Sequence, residues 1–145
     1  MVAISVITIG ILGIYSLVPN ILSTSFENVD KFIAAQLAQE GVEIVRNIRD
    51  DNWLRGSSWN DGLTYCFEGC QIDYNDSSLS YYNDNDYLKM DSAGFYNYET
   101  GQNTKFKRKI IITQNGDDIL NVKVQVSWST SKPPFDIQEN IYNWR

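Results

Sequence analysis

The sequence predicts an α+β fold in which one long N-terminal helix packs on a small antiparallel β-sheet. Three observations favour this class. Residues 1–26 contain no charged side chain, residues 27–52 place apolar side chains on one helical stripe, and residues 106–128 alternate apolar and polar side chains on either side of a turn. Because helices repeat every 3.6 residues and strands every two, a helix followed by strands is expected. We therefore divide the chain into an apolar helix (1–26), an amphipathic continuation (27–52) and a sheet domain (53–145).

The first segment is apolar almost throughout residues 1–22. A helix of this length reaches roughly 33 Å, close to the hydrocarbon thickness of a bilayer. We therefore expect one membrane-spanning helix. The alternatives are a cleaved secretory signal and a buried helix of a soluble domain, but no basic residue precedes the apolar run, and the run is long for either.

The amphipathic segment continues the helical period with apolar residues on one side only. No proline interrupts residues 20–52, so the two segments are predicted to form a single rod of about 50 residues, roughly 75 Å long. The stripe predicts which side chains pack on the sheet. They are Val29, Ile33, Leu37, Gly41, Ile44, Val45 and Ile48.

The clearest strand signals lie near the C-terminus. Residues 120–128 alternate apolar and polar side chains, as do residues 106–113, and Asn115-Gly116 between them predicts a tight reversal and a long antiparallel hairpin. A third strand begins at Phe135. Its alternation fails near Glu139, which predicts a bulge or a closing turn there.

The two cysteines lie in a weaker strand signal. Residues 63–66 and 70–73 read as strands joined by a three-residue loop that ends in Gly69. Cys66 and Cys70 form either a disulfide or two free thiols, and a disulfide is favoured because thiols oxidise outside the cytosol. Residues 73–87 are rich in turn formers and have no apolar period, so they predict a long surface loop.

Composition excludes several functions. The net charge of −6 opposes nucleic-acid binding. The absence of histidine excludes a Ser-His-Asp triad, a Cys-His pair and a His-ligated catalytic zinc, and two cysteines cannot close a structural zinc site. A glycosidase needs two carboxylates facing each other at a defined separation, whereas the acids here crowd into one loop. We expect no enzymatic activity and no cofactor.

Charge is unevenly distributed along the sheet domain. Residues 60–100 hold eight acids and one base, Lys89, whereas residues 101–145 hold seven bases and four acids. The two halves could attract each other or neighbouring copies. An ordinary solvated surface is the favoured interpretation.

The order of elements and several residues resemble type IV pilins and pseudopilins. Residues 1–7, Met-Val-Ala-Ile-Ser-Val-Ile, resemble the stretch that follows the processing site in that family. Residues 39–50, with Trp53 after them, resemble the second half of the helix in minor pilins described as pilus-modification proteins, and residues 141–145 are similar to the carboxyl ends of those proteins. The resemblance implies the type IV pilin fold and a structural role as a minor pilin in a pilus-like filament. The alternatives are a pseudopilin of a type II secretion system and a membrane-tethered binding protein that does not polymerise.

One part of the family pattern is missing. Family precursors begin with a basic leader that ends in glycine, followed by a phenylalanine and, four residues on, a glutamate. None of these precedes Met1. We therefore expect that this sequence starts several residues late, and that prepilin peptidase could not process it as written.

The resemblance also implies a location and partners. The chain would span the bacterial cytoplasmic membrane once before assembly and then reach the cell surface in an extracellular filament, with other pilin subunits and the pilus assembly machinery as partners. Small residues would let the helices pack closely in the filament, and opening of the helix near the proline would let the subunit stretch or bend as it is extracted from the membrane. This candidate assembly interface comprises Ala3, Ser5, Gly10, Gly13 and Pro19. Ordinary membrane-helix composition is an equally good explanation for these residues.

The tyrosine-rich loop is the natural candidate for contacts with neighbouring subunits or surfaces. Its candidate residues are Tyr74, Asp76, Tyr81, Tyr82, Asp84, Asp86 and Tyr87. Some pseudopilins bind calcium, and hard cations take oxygen ligands. A calcium site is therefore an alternative here, whereas a solvated acidic loop is favoured. Its possible ligands are Asp73, Asn75, Asp76, Asp84 and Asp86.

Overall fold

The computed structural model describes the backbone of residues 2–143 and the side chains of residues 24–143. A single helix, α1, covers Val2–Arg55. It ends where Gly56 adopts a φ of 72°, a conformation that favours glycine, and the amides of Gly56 and Ser57 donate to the carbonyls of Trp53 and Asn52 at 3.1 and 2.9 Å. The chain divides into two compact units, residues 1–33 and 34–145, and this boundary lies within α1.

The described part of the second unit forms two antiparallel sheets. The strands are β1 (Cys70–Gln71), β2 (Ser80–Tyr81), β3 (Lys89–Met90), β4 (Tyr96–Asn97), β5 (Gln102–Asn103), β6 (Lys107–Gln114), β7 (Ile119–Ser127) and β8 (Phe135–Tyr142). The larger sheet has the order β2-β1-β6-β7-β8, and the smaller has the order β4-β3-β5. The predicted α+β class, with one helix packed on antiparallel sheets, is confirmed.

The hairpin of β6 and β7 forms the centre of the larger sheet, as the sequence predicts. Ile110 pairs with Val124 and Ile112 with Val122, and all four side chains are buried. At the turn, the Asn115 amide donates to the Ile119 carbonyl at 2.8 Å. The alternation of β6 and β7 therefore separates a buried face towards α1 from a half-buried outer face.

The predicted bulge in β8 is wrong. The strand pairs with β7 without a break, from Phe135 opposite Val126 to Tyr142 opposite Ile119. Glu139 lies opposite Val122 on the face that packs against α1, and its carboxylate forms an ion pair with Arg46 of the helix. The apolar alternation is interrupted there because a helix cation, and not an apolar side chain, faces that position.

The predicted strand at residues 63–66 is also wrong. Residues 61–67 form turns, and of the second predicted strand only Cys70 and Gln71 lie in β1. A disulfide joins Cys66 to Cys70 with their Cα atoms 5.3 Å apart, and the Cys66 carbonyl accepts the Ile112 amide at 3.0 Å. This turn is therefore fastened to the sheet by the disulfide and one backbone hydrogen bond, without a strand of its own.

The long surface loop predicted for residues 73–87 contains a short strand. Ser80 and Tyr81 form β2, which pairs with β1 through Gln71–Ser80 and Cys70–Tyr81. Leu79 is buried beside them. One buried leucine and a two-residue pairing are too short to produce a recognisable strand period.

Candidate functional site

The candidate helix-assembly residues lie in the part of α1 for which only the backbone is described. The backbone is helical at these positions, and nothing further is described of the side chains of Ala3, Ser5, Gly10, Gly13 and Pro19.

The structure contradicts the predicted membrane location. Among the described residues, no helix combines the length and the apolar character that crossing a bilayer requires. The predicted passage from the cytoplasmic membrane to the cell surface depends on that spanning helix, so this prediction is wrong as well.

Three large apolar side chains are exposed on the described part of the first unit. Phe26, Val29 and Phe32 are 70%, 55% and 63% exposed. Successive steps of three residues keep them on one side of the helix. The sequence predicts that Val29 packs on the sheet, and its side chain is 55% exposed. We call these three residues the apolar helix stripe.

Most of the other residues that the sequence predicts to pack on the sheet lie in the second unit. Leu37, Gly41, Ile44 and Val45 are buried, while Ile48 is half-buried, as is Ile33 of the first unit. Three further apolar positions of α1 are buried outside the predicted stripe, because the covered face is wider than a single stripe. They are Ala34, Ala38 and Val42.

Gly41 lies where α1 packs directly against side chains of the sheet. A Cβ atom built on it would lie 3.0 Å from Val124 Cγ1 and 3.2 Å from Arg108 Cδ. Contacts this short require the neighbours to move. The glycine is therefore explained by space and not by backbone conformation.

Arg108 is the most important residue that the sequence analysis missed. Its side chain is fully buried, and its guanidinium donates to the Leu37 carbonyl at 3.1 Å and to the Ile72 carbonyl at 2.5 Å. Glu40 Oε2 lies 3.3 Å from Nη1. A signal was present, because Arg108 alternates in phase with Phe106 and Ile110 and therefore occupies an inward position. It joins the helix to the sheet through charge-assisted hydrogen bonds.

The acids of the tyrosine-rich loop accept hydrogen bonds from neighbouring protein groups and do not form a common site. The buried Asp73 carboxylate accepts the Asn75 amide at 3.2 Å and the Tyr98 amide at 3.0 Å, and Asp76 accepts the Asp73 amide at 3.2 Å. Asp86 accepts a hydrogen bond from Gln71 Nε2 at 3.1 Å. Within residues 24–143, no three Asp, Glu or Cys side chains come together in a way that could hold a metal ion.

The loop tyrosines form four local pairs with other groups. Tyr74 lies against Phe95 with ring centroids 5.2 Å apart, and Tyr81 meets Tyr65 edge-on at 5.6 Å. The Tyr82 and Tyr87 rings each lie under an ammonium group, at 5.3 Å from Lys109 Nζ and 4.7 Å from Lys107 Nζ respectively. The candidate loop residues are therefore distributed over several contacts, and only Tyr82, Asp84 and Tyr87 are linked through Lys107 and its neighbours.

Asp84 organises this last group. Its carboxylate accepts the Tyr82 hydroxyl at 2.9 Å and lies 3.3 Å from Lys107 Nζ. These contacts lower the pKa of Asp84, while burial raises the pKa of Tyr82 far above its ordinary value, with the hydrogen bond to Asp84 adding to the effect. At neutral pH the Tyr82 phenol is therefore neutral and Asp84 is a carboxylate.

A groove of about 520 Å³ opens beside this group. It lies where the segment after β7 meets the start of β6 and the tyrosine-rich loop. Its lining includes three lysines, the aromatic residues Tyr87 and Trp128, and several hydroxyl side chains. We call this site the lysine groove. The basic character of residues 101–145 is visible in the sequence. The groove is not, because it is formed by residues that lie more than forty positions apart.

Comparisons with known proteins add no relative: no protein-family model matches the chain, and neither a curated protein nor a solved structure is detectably similar to it.

Proposed function

We propose that this chain is a structural subunit of a type IV pilus-like filament, in the role of a minor pilin. The observation that carries the proposal is the apolar helix stripe of Phe26, Val29 and Phe32. Large contiguous apolar surface on a helix is a common mark of association. In this proposal the stripe is covered by the same segment of neighbouring copies.

Two further features support the proposal. The arrangement of a long helix with an antiparallel sheet on its second half is the layout that the sequence resemblance implies. The contact between Glu40 and Arg108 joins the second half of the helix to the sheet, and would let these two parts be carried into an assembly together.

The test introduces a charge into the stripe. Phe32→Glu would place a carboxylate among apolar groups of the neighbouring helix, which is unfavourable unless that charge is paired. We expect the wild-type chain to associate into elongated particles in sedimentation velocity and electron microscopy, and the variant to need roughly tenfold more protein or to stay monomeric. The matched control is Leu54→Glu, since Leu54 is 86% exposed near the other end of α1; it should associate like the wild type.

Crosslinking distinguishes association through the stripe from association elsewhere. The two native cysteines are joined to each other, so Val29→Cys supplies a single new thiol. We expect oxidation to join two copies through this thiol. A chain that remains monomeric at all concentrations, with no crosslink at residue 29, would instead support the non-polymerising binding protein.

A further inference from the structure

We propose that Asn75 is an acceptor site for an N-linked glycan, and that the first sugar of this glycan lies against the exposed rings of Tyr74 and Phe95. The donor is a sugar joined through its C1 atom to a diphosphate ester. This inference does not depend on the filament proposal. Its basis is a short sequence pattern, the conformation of the loop that carries it, and the aromatic pair beside it.

The sequence pattern is the tripeptide Asn75-Asp76-Ser77. An asparagine followed two residues later by serine or threonine, with any residue except proline between them, is the acceptor pattern of N-glycosylation. Of the fourteen asparagines in the chain, Asn75 is the only one with a hydroxyl residue at that position. Because so short a pattern also arises by chance, its structural context decides whether it can act as an acceptor.

The structural context is an exposed tight turn between β1 and β2. The Asp76 amide donates to the Asp73 carbonyl at 3.3 Å, which places Tyr74 and Asn75 at the two central positions of the turn. The buried Asp73 carboxylate accepts the Asn75 amide at 3.2 Å and holds the turn in place. Residues 74–78 are all exposed. The acceptor pattern therefore lies on the surface, where a transferase can reach it and a glycan has room.

The two side chains that a transferase must engage are available. Among the residues whose side chains the structure describes, none forms a hydrogen bond with the side-chain amide of Asn75 or with the hydroxyl of Ser77. Asn97 shows the alternative, because its side-chain oxygen accepts the Glu99 and Thr100 amides at 2.9 and 2.7 Å. Modification of Asn75 would thus break no side-chain contact of the fold, whereas modification of Asn97 would.

An exposed aromatic pair lies beside the acceptor. The ring centroids of Tyr74 and Phe95 are 5.2 Å apart, and the two residues are 48% and 55% exposed. Because Tyr74 directly precedes Asn75, the first sugar on Asn75 would be within reach of these rings. The C–H face of a pyranose can cover their apolar surface, which is favourable because that surface leaves water.

The charge beside the acceptor selects the class of sugar. The exposed Asp76 follows Asn75 directly, and a carboxylate disfavours a second negative charge in its neighbourhood. We therefore expect the first sugar to be a neutral hexose or N-acetylhexosamine and not a uronic acid.

The transfer is a substitution at the C1 atom of the sugar. The Asn75 Nδ2 atom forms a bond with C1 while the bond between C1 and the diphosphate oxygen breaks. The diphosphate ester leaves with the electron pair of that bond, and the amide nitrogen passes one proton to a base of the transferase. No oxidant or reductant is required. Nucleotide-linked and polyprenol-linked sugars share this donor chemistry, so the experiment has one arm for each.

The experiment offers both donors to the folded full chain. One arm uses UDP-glucose with a soluble N-glycosyltransferase. The other uses a polyprenol diphosphate-linked oligosaccharide that begins with N-acetylglucosamine, together with a membrane oligosaccharyltransferase. Intact-mass and fragmentation mass spectrometry count and locate the added sugars. We expect one glycan per chain, at Asn75, in at least one arm, and that arm identifies the donor source.

Variants of the tripeptide test the acceptor pattern. Asn75→Gln and Ser77→Ala should each abolish the modification, and the second leaves the acceptor nitrogen in place. Ser77→Thr retains the hydroxyl and should be modified at least as fully as the wild type. The matched control is Asn85→Gln, which removes another exposed asparagine of the same loop and should be modified like the wild type. Circular dichroism verifies the fold of each variant.

Thermal unfolding of the modified chain tests the contact with the rings. The glycan should raise the melting temperature of the wild type by roughly 2–4 °C, as expected for one additional packed aromatic contact. The same glycan should leave the melting temperature of the Tyr74→Ser/Phe95→Ser variant unchanged.

Three results would overturn the proposal. They are a wild-type chain that stays unmodified in both arms, a glycan that persists in Ser77→Ala or lies on another residue, and an equal rise in melting temperature with and without the two rings. Phe32→Glu should be modified like the wild type, so failure of the filament proposal remains distinguishable from failure of this one.

Discussion

Glu139 of β8 and Arg46 of α1 form an ion pair between the sheet and the helix. Their side chains are 41% and 37% exposed, and Arg46 also meets Glu43 at 2.9 Å. The hydrogen bond to Glu139 raises the pKa of Arg46 the most, and the hydrogen bond to Glu43 raises it further. The pair thus replaces an apolar contact at the edge of the helix–sheet interface, where water still reaches both groups.

Replacing the acid should have a modest cost because the pair is half-exposed. We expect Glu139→Gln to lower the free energy of unfolding by about 0.5–1 kcal/mol. A double-mutant cycle with Arg46→Gln should give a coupling of similar size. Urea unfolding measures both, with the distant exposed substitution Glu99→Gln as control. A coupling near zero would mean that the pair contributes nothing in solution.

Glu40 should matter more than Glu43, although both lie on the same helix. Glu40→Gln would weaken the only carboxylate contact described for the fully buried Arg108, and leaving a buried polar group without its partner costs about 1–3 kcal/mol. We expect a loss of that size in urea unfolding. Glu43→Gln, which disturbs an exposed pair one turn apart on the helix, should cost at most about 0.5 kcal/mol. Equal effects of the two substitutions would contradict the anchoring role of Arg108.

Local patterns could be predicted from the sequence, whereas contacts between distant charged residues could not. The hairpin of β6 and β7 was predictable because alternation and Asn115-Gly116 are local signals. The ion pairs of Arg108 and Glu139 were not predictable: the phase of each strand places both residues at inward positions, but a period count treats a charged residue there as a defect. Its partner lies dozens of residues away along the chain, so the pairing exists only once helix and sheet meet.

The same limit applies to the candidate site. The tyrosine-rich loop was recognised from composition, but its grouping around Lys107 depends on the neighbouring strand, and the lysine groove joins three separate segments. Short strands such as β2 and β3 also escape pattern analysis, since two residues cannot display a period.

Gly41→Ala should destabilise the protein even though alanine favours helices. The gain in helix propensity is about 1 kcal/mol, whereas the new methyl would meet Val124 at 3.0 Å and Arg108 at 3.2 Å, and overpacking costs about 1–3 kcal/mol. We expect a net loss of about 1 kcal/mol in thermal or urea unfolding. Asn47→Ala, at an exposed position of the same helix, should be neutral or slightly stabilising.

A compensating substitution tests the cause of that loss. Val124→Ala opens the space that the new methyl needs, so Gly41→Ala should cost less in the Val124→Ala background than alone. Strictly additive effects would show that the short contacts do not limit position 41.

Tyr98 should make stability fall at high pH. Its hydroxyl donates to the Arg108 carbonyl at 3.2 Å, and burial raises its pKa from 10.0 to about 12. Between these values the unfolded chain releases the phenol proton and the folded chain keeps it, so the unfolded state binds fewer protons and stability decreases as pH rises. The contribution is complete below pH 10 and is lost through pH 12, and it amounts to on the order of 2 kcal/mol. In urea unfolding between pH 8 and pH 12, the free energy of unfolding should therefore fall more steeply for the wild type than for Tyr98→Phe. The control Tyr74→Phe, at an exposed ring, should follow the wild type. Parallel curves for all three proteins would contradict this origin.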